Sequence, residues 1–126
     1  MTTRPCHGFV VIVDDEEDSR ELLKELLEAR GYQVATAEDG VDALDVMSRV
    51  PQICLVILDL LMPRMGGIEL LEHLAKDPGR RSFPIWVATS APDRVPVGVP
   101  CLPKPIDVMR LISIVEKHCM SNAISA

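Results

Sequence analysis

Three stretches of the chain are apolar almost without a break, and each runs straight into polar residues. Phe9-Val10-Val11-Ile12-Val13 meets Asp14-Asp15-Glu16-Glu17-Asp18, Ile53 to Leu58 meets Asp59, and Phe83 to Ala88 meets Thr89-Ser90. Runs of this length without polar alternation are expected of strands buried on both faces. Gln33 to Ala37 predicts a shorter strand, and Val99-Cys101-Leu102 a short fifth one. Between these runs the period becomes helical. Leu22, Leu23, Leu26 and Leu27 form one apolar stripe on a helix reaching about Arg30, with acids in its first turn and Gly31 as its C′ residue. Asp39-Gly40 turns into a second helix carrying Val41, Ala43, Leu44 and Met47, and Pro51 stops it. A third helix runs from about Gly67 to Lys76 with Ile68, Leu71, Leu74 and Ala75 facing inward, closed by Asp77-Pro78-Gly79. The last, from about Ile106 to Cys119, places Val108, Leu111, Ile112, Val115 and Cys119 on one face and leaves Met109 and Ile114 off it.

Strand and helix thus alternate with short connections. The pattern predicts an α/β domain in three layers, a parallel sheet with helices on both faces. One connection departs from it. Ala91 to Pro100 contains Pro92, Pro96, Pro100 and Gly98, so the fourth crossover helix is expected to be shortened to a turn or absent.

At 126 residues the chain is one domain by length, with an apolar fraction of 48% and a charged fraction of 25%, both ordinary for a globular domain. Residues 1–8 read as a flexible leader and 120–126 as a flexible tail. Aromatics make up only 3%, so the core is aliphatic and platforms for stacking nucleic-acid bases are missing. The formal charge is −6 and no basic run exceeds Arg80-Arg81, which argues against direct nucleic-acid binding. No apolar run approaches a membrane span or resembles a signal peptide, so no membrane contact and a cytoplasmic location are expected. Cys6, Cys54, Cys101 and Cys119 show no C-x-x-C spacing and read as small buried hydrophobes in a reducing compartment. His7, His73 and His118 read as surface residues.

The carboxyl ends of the strands collect the chemistry. Asp14 and Asp15 follow the first strand, Asp59 the third, Thr89 and Ser90 the fourth, and Lys104 the fifth. In open α/β sheets this edge is where ligands bind. Each residue taken alone is an ordinary cap; together they are a site. Like charges at ~4 Å repel by about 4 kcal/mol at an effective dielectric near 20. A hard divalent cation removes that cost, and a few carboxylates with several retained waters suit Mg²⁺. One carboxylate oxygen then remains free to attack a phosphoryl group, whose charge the metal and Lys104 would stabilise.

Asp14-Asp15, Asp59 within D-L-L-M-P-R-M-G-G, Thr89 and Lys104-Pro105 resemble the receiver domain of two-component response regulators, in its stand-alone, single-domain form. The likeness covers about Phe9 to Cys119. It implies a doubly wound, flavodoxin-like five-stranded sheet of order 2-1-3-4-5 over residues 9–119. It makes Asp59 the phospho-acceptor, with Asp15, Asp59 and the backbone carbonyl of Leu61 as direct Mg²⁺ ligands and Asp14 acting through water. Thr89 would donate its hydroxyl to the aspartyl phosphate, Lys104 would pair with it, and the Lys104–Pro105 bond would be cis. Ser90 takes the hydroxyl role only if the strand end shifts by one residue. The phosphodonor would be a phosphohistidine on a sensor histidine kinase or a histidine phosphotransfer protein, or a small acyl phosphate. The output would be a changed affinity for a target protein. Such a chain is a signalling receiver and not an enzyme, catalysing only its own phosphorylation and slow dephosphorylation.

The sequence departs from the family at Cys101. Many receivers carry Tyr or Phe there, as the rotamer partner of the threonine, and a thiol does not fill that volume. The residues two beyond the phospho-acceptor and two beyond the threonine, which influence hydrolysis in the family, are Leu61 and Ala91. Neither side chain can orient a water, so slow loss of phosphate is expected. Three other readings stand beside this one. A hydrolase with an aspartate nucleophile would carry a second Asp where Leu61 stands. His73-Leu74-Ala75-Lys76 suggests a histidine phosphotransfer module, but those are helical bundles. A degenerate receiver would dock partners without taking phosphate. The chain ends soon after the last helix, so a lone effector and a phosphate relay are both open.

Overall fold

A computed structural model describes residues 8–62, 64–77 and 83–119. The leader and tail expected at the two ends lie outside these residues, apart from Gly8, which is buried. Five strands, β1 (Phe9–Val13), β2 (Gln33–Ala37), β3 (Ile53–Asp59), β4 (Ile85–Thr89) and β5 (Cys101–Pro103), form one parallel sheet in the order β2-β1-β3-β4-β5. The helices are α1 (Glu17–Glu28), α2 (Gly40–Arg49), α3 (Gly67–Ala75) and α4 (Val108–Cys119). Between β4 and β5 the chain forms only a 3₁₀ turn, Pro92–Arg94, so the fourth crossover carries no α-helix.

The pleat sends alternate side chains of each strand to opposite faces, and each face has its own core. Val10, Ile12, Leu55, Ile57, Ala88 and Leu102 pack with Leu23 and Leu27 of α1 and with Leu111, Ile114 and Val115 of α4. Val11, Val13, Val56 and Leu58 pack with Ala43 and Met47 of α2 and with Leu70 and Leu74 of α3. Leu55 to Asp59 are buried without interruption, because β3 is central and covered on both sides. Burying each such aliphatic side chain is worth about 1.5–3 kcal/mol.

Several helix faces differ from expectation. On α1 only Leu23 and Leu27 are buried, while Leu22 is 55% exposed. Two adjacent leucines on a helix diverge by about a quarter turn, so a four-leucine stripe is wider than one sheet face covers. On α3 the inward residues are Leu70 and Leu74, with Leu71 half-buried and Ile68 and Ala75 exposed. On α4, Ile114 is buried with the stripe, and Met109 is exposed. The absent crossover helix explains the state of α3. Its outer flank, with Phe83, Ile85, Pro96, Val99 and Pro100, lines a cleft of about 520 Å³.

The reading of all four cysteines as unpaired is corrected in one place, since Cys54 and Cys119 are joined by a disulfide. The pairing of β1 with β3 slips between Phe9 and Val10, whose partners are Ile53 and Leu55, leaving Cys54 as the extra residue. This bulge puts Cys54 and Leu55 on the same face, towards α4, whose last residue is Cys119. Spacing along a sequence cannot reveal such a pair. Cys101 is a free, half-buried thiol, and Cys6 lies outside the described residues.

Candidate functional site

The register of the sheet brings the strand ends together. Val13 pairs with Leu58, so Asp14 and Asp59 leave the sheet side by side. Asp59 pairs with Ala88, and Thr89 pairs with Pro103, which precedes Lys104. Asp14, Asp59 and Thr89 are 4%, 9% and 1% exposed, whereas Asp15 and Ser90 point to solvent. One carboxylate oxygen from each of Asp14, Asp15 and Asp59 lies within 4.8 Å of the others.

Lys104 reaches into this group. Its Nζ donates to Oδ2 of Asp14 at 3.3 Å and lies 3.7 Å from Oδ1 of Asp59. The backbone N–H of Lys104 donates to the Thr89 carbonyl at 2.9 Å, and the Thr89 hydroxyl oxygen accepts the Ala91 N–H at 3.0 Å. The bond from Lys104 to Pro105 is cis. Asp14 is fixed from behind: Glu16 N–H donates to its Oδ1 at 2.9 Å and Arg20 donates to its carbonyl at 2.8 Å.

The electrostatics are those of a site short of positive charge. Burial pushes the Asp59 carboxyl up to about 6, against the pull of Lys104, and Asp14 and Asp15 push the same way as burial. Burial alone would lower the Lys104 ammonium, but Asp14 and Asp59 outweigh it and hold it above its ordinary value. One ammonium among three carboxylates leaves a charge deficit that a hard divalent cation would fill. The donor set is all oxygen, and Asp15 and Leu61 border an open cleft of about 500 Å³ that leaves room for retained waters. The residues present therefore fit Mg²⁺.

The loop after β3 has supports that the sequence reading missed. Gly67 N–H donates to the Leu60 carbonyl at 2.8 Å, and Gly66 N–H donates to the Glu69 carboxylate at 3.2 Å, closing the start of α3. Further out, Arg64 adopts a left-handed backbone with φ of 63°, a conformation that costs a side-chain-bearing residue roughly 1–2 kcal/mol. Its Nε donates to Oδ2 of Asp39 at 2.6 Å. Asp39 is 3% exposed, and its other oxygen caps α2 by accepting the Asp42 N–H at 2.8 Å. Burial would raise the Asp39 carboxyl, but the bonds from Arg64 and from backbone N–H groups hold it below its ordinary range. Gly40 N–H donates to the Met65 carbonyl at 2.8 Å, and a Cβ at Gly40 would stand 2.7 Å from that oxygen. The sequence offered one signal, an Asp-Gly pair opening α2. Nothing local linked it to an arginine 25 positions on.

Leu61 is 54% exposed at the mouth of the site, and Cys101 lies on β5 opposite Val87, facing away from the Leu102 core. His73 is exposed, His118 is half-buried, and His7 lies outside the described residues.

Residues 10–116 match the family model described as the response regulator receiver domain. The chain belongs to the response regulator receiver domain family. Its relatives include the transcriptional regulatory protein CpxR homolog of Haemophilus influenzae, 35% identical over 115 residues, 85% of this chain and 48% of that protein. The chain thus spans about half the length of the first curated relatives it matches. The polar-differentiation response regulator DivK of Brucella anthropi is 29% identical over 86% of this chain and 94% of its own length. Among solved structures, a receiver protein from Pseudomonas putida superposes with a TM-score of 0.78 at 29% identity, over 93% of this chain and 99% of that one. The receiver domain of the hybrid histidine kinase CckA gives a TM-score of 0.74 at 34% identity, over 88% and 98% of the two chains. Receivers are signalling modules of two-component systems, phosphorylated on aspartate, and they bind Mg²⁺ at their acidic pocket. In this receiver, Asp14, Asp15 and Asp59 form an acidic cluster able to hold such an ion. No helix among the described residues is long and apolar enough to cross a membrane.

Proposed function

We propose that this receiver accepts a phosphoryl group on Asp59 in a Mg²⁺-dependent reaction and that the phosphorylated form changes its affinity for a protein target. The observation that carries the reading is the placing of Asp59. It is a buried carboxylate at a strand end, with Lys104 at 3.7 Å and two further carboxylates within 4.8 Å. The donor would be a phosphohistidine on a sensor histidine kinase or a histidine phosphotransfer protein. An Asp59 oxygen attacks phosphorus, the bond from phosphorus to the imidazole nitrogen breaks, and the histidine leaves with that electron pair. Lys104 is then the counter-charge for the aspartyl phosphate. Thr89 keeps its hydroxyl proton to donate, since its oxygen already accepts from Ala91. Asp14, Asp15, Asp59 and the Leu61 carbonyl would hold Mg²⁺, which when bound offsets charge on the transferring oxygens. The reading includes a cytoplasmic location, where the phosphohistidine of a kinase would be met.

Intact mass after incubation with a small acyl phosphate, with and without Mg²⁺, tests this. Wild type should gain one phosphoryl group only with the metal, and Asp59→Asn should gain none. A folded wild type that gains nothing under either condition would favour a phosphate-independent docking module.

A further inference from the structure

We propose that Arg64 is a positioning residue for the metal site: bonded to Asp39, it fixes the loop that carries Leu61 and so sets the affinity for Mg²⁺. The inference rests on the reading of the acidic cluster as a Mg²⁺ site.

The loop from Leu60 to Gly66 must place the Leu61 carbonyl against the three carboxylates. Its two ends close on each other through the bond from Gly67 to Leu60. That bond fixes only the base of the loop. The outward arc is tied at Arg64 and Met65, through the Arg64–Asp39 ion pair and through Gly40 N–H donating to the Met65 carbonyl. Both ties end on the turn that opens α2. Asp39 cannot move without releasing the α2 cap, because its carboxylate serves the Asp42 N–H with one oxygen and Arg64 with the other.

An exposed ion pair generally holds little, but this one differs in two respects. Asp39 is 3% exposed, so its charge depends on the guanidinium, and the 2.6 Å separation is that of a short charge-assisted bond. Arg64 also keeps a backbone conformation that a glycine would hold at no cost, and the pair supplies the reason an arginine holds it. Arg64, Asp39, Glu38 and the metal-site residue Asp15 border one shallow cleft of about 360 Å³. Arg64 therefore shares a cleft with one of the acids, and charge alone predicts the opposite result. A guanidinium beside the site repels a cation, so its removal should tighten Mg²⁺ binding. If Arg64 acts by holding the loop, its removal should weaken binding.

The sign of the change decides, read by isothermal titration calorimetry of Mg²⁺ into the full chain. Arg64→Gly removes the pair and accepts the backbone conformation, so the relief of that backbone offsets part of the cost of leaving Asp39 unpaired, and a thermal melt identifies the range in which the variant is folded. Its Mg²⁺ dissociation constant in that range should rise about tenfold, the lower end for groups supporting metal ligands. Arg64→Ala should show the same rise. Arg64→Lys should recover part of it, because a single ammonium reaches Asp39 without the fixed fork of the guanidinium. Unchanged or tighter binding in Arg64→Gly, with wild type binding normally, overturns the proposal and leaves the site reading intact. A wild type that takes up no Mg²⁺ overturns both.

Discussion

Asp59 is held in conflict. The role proposed for it needs an ionised oxygen, while its surroundings push the carboxyl from an ordinary 3.8 up to about 6. Between about pH 4 and pH 6 the metal-free folded chain therefore keeps a proton there that the unfolded chain has lost. Wherever the native state binds more protons, stability falls as pH rises. The stabilising contribution is complete below the unfolded value and gone above about 6. The full displacement corresponds to roughly 3 kcal/mol, and screening at a site open on one side reduces it to about 1–2 kcal/mol. In chelator, Asp59→Asn should be more stable than wild type by about 1–2 kcal/mol at pH 7 and equal to it near pH 4. Urea melts across that range measure the difference, and two parallel stability curves would remove Asp59 as the cause. The residues around it argue for a long-lived phosphoryl group. Leu61 stands 54% exposed at the mouth and Ala91 sits behind Thr89, and neither can hold a water in line. After the donor is removed, the aspartyl phosphate should persist for minutes or longer. Leu61→Asn should shorten its life by about tenfold, modest beside a true general base. A wild-type half-life of seconds would exclude this account.

At the level of elements, what could be read from the sequence depended on how local the cause was. The five strands are set by their own apolar runs, and the lost crossover helix by three prolines within a short span; both are visible residue by residue. The strand ends, and with them Asp14, Asp59, Thr89 and Lys104, follow from the same runs. What failed was governed by contacts between elements. The burial of Ile114 and the exposure of Leu22 and Ile68 depend on how each helix rolls against the sheet. No single-helix periodicity fixes that roll. The bulge at Cys54 turns one residue to the other face, and only its partner strand shows it. Arg64 and Asp39 are likewise invisible as a pair until β2 and β3 are placed. The absent helix also has a mechanical consequence. A crossover helix packed over α3 and β4 would move with the Thr89 loop; here that route is a 3₁₀ turn beside an open cleft. Cys101 does not supply the aromatic that would relay a movement of Thr89 along β5. The Thr89 carbonyl instead accepts the Lys104 N–H at 2.9 Å, and the Lys104 ammonium lies 3.7 Å from Asp59, so Lys104 is tied to both strand ends.

For the whole molecule, a signal must shift a population. Moving a two-state equilibrium from one part in a hundred to ninety-nine requires about 5.5 kcal/mol of preference between the states. In the proposed reading, contacts of one phosphoryl group with Lys104 and Thr89 would supply a share of this, and a target that binds only the phosphorylated form would supply the remainder. Such a shift needs a body that is otherwise rigid, and the Cys54–Cys119 bond bears on that rigidity. It ties the start of β3, whose far end is Asp59, to the last residue of α4, across a sequence separation of 65. Closing a loop of that size lowers the entropy of the unfolded chain enough to stabilise the fold by about 4 kcal/mol at most. For a domain of this size that is a thermal midpoint higher by on the order of 10 °C. Reductant should therefore lower the midpoint of wild type by about that much and leave Cys119→Ser, already lowered, unmoved. Alkylation of the denatured, unreduced chain should find Cys101 open to reagent and Cys54 and Cys119 blocked. Open thiols at Cys54 and Cys119 would show that the bond does not form in solution. In a compartment rich in thiols the bond would be in equilibrium with its reduced form, and its state would set how firmly α4 is held. Phosphoryl uptake should survive reduction, because Asp14, Asp59, Thr89 and Lys104 stand at the opposite end of the strands from the disulfide, held there by the sheet register and by bonds among themselves and from Glu16 and Arg20.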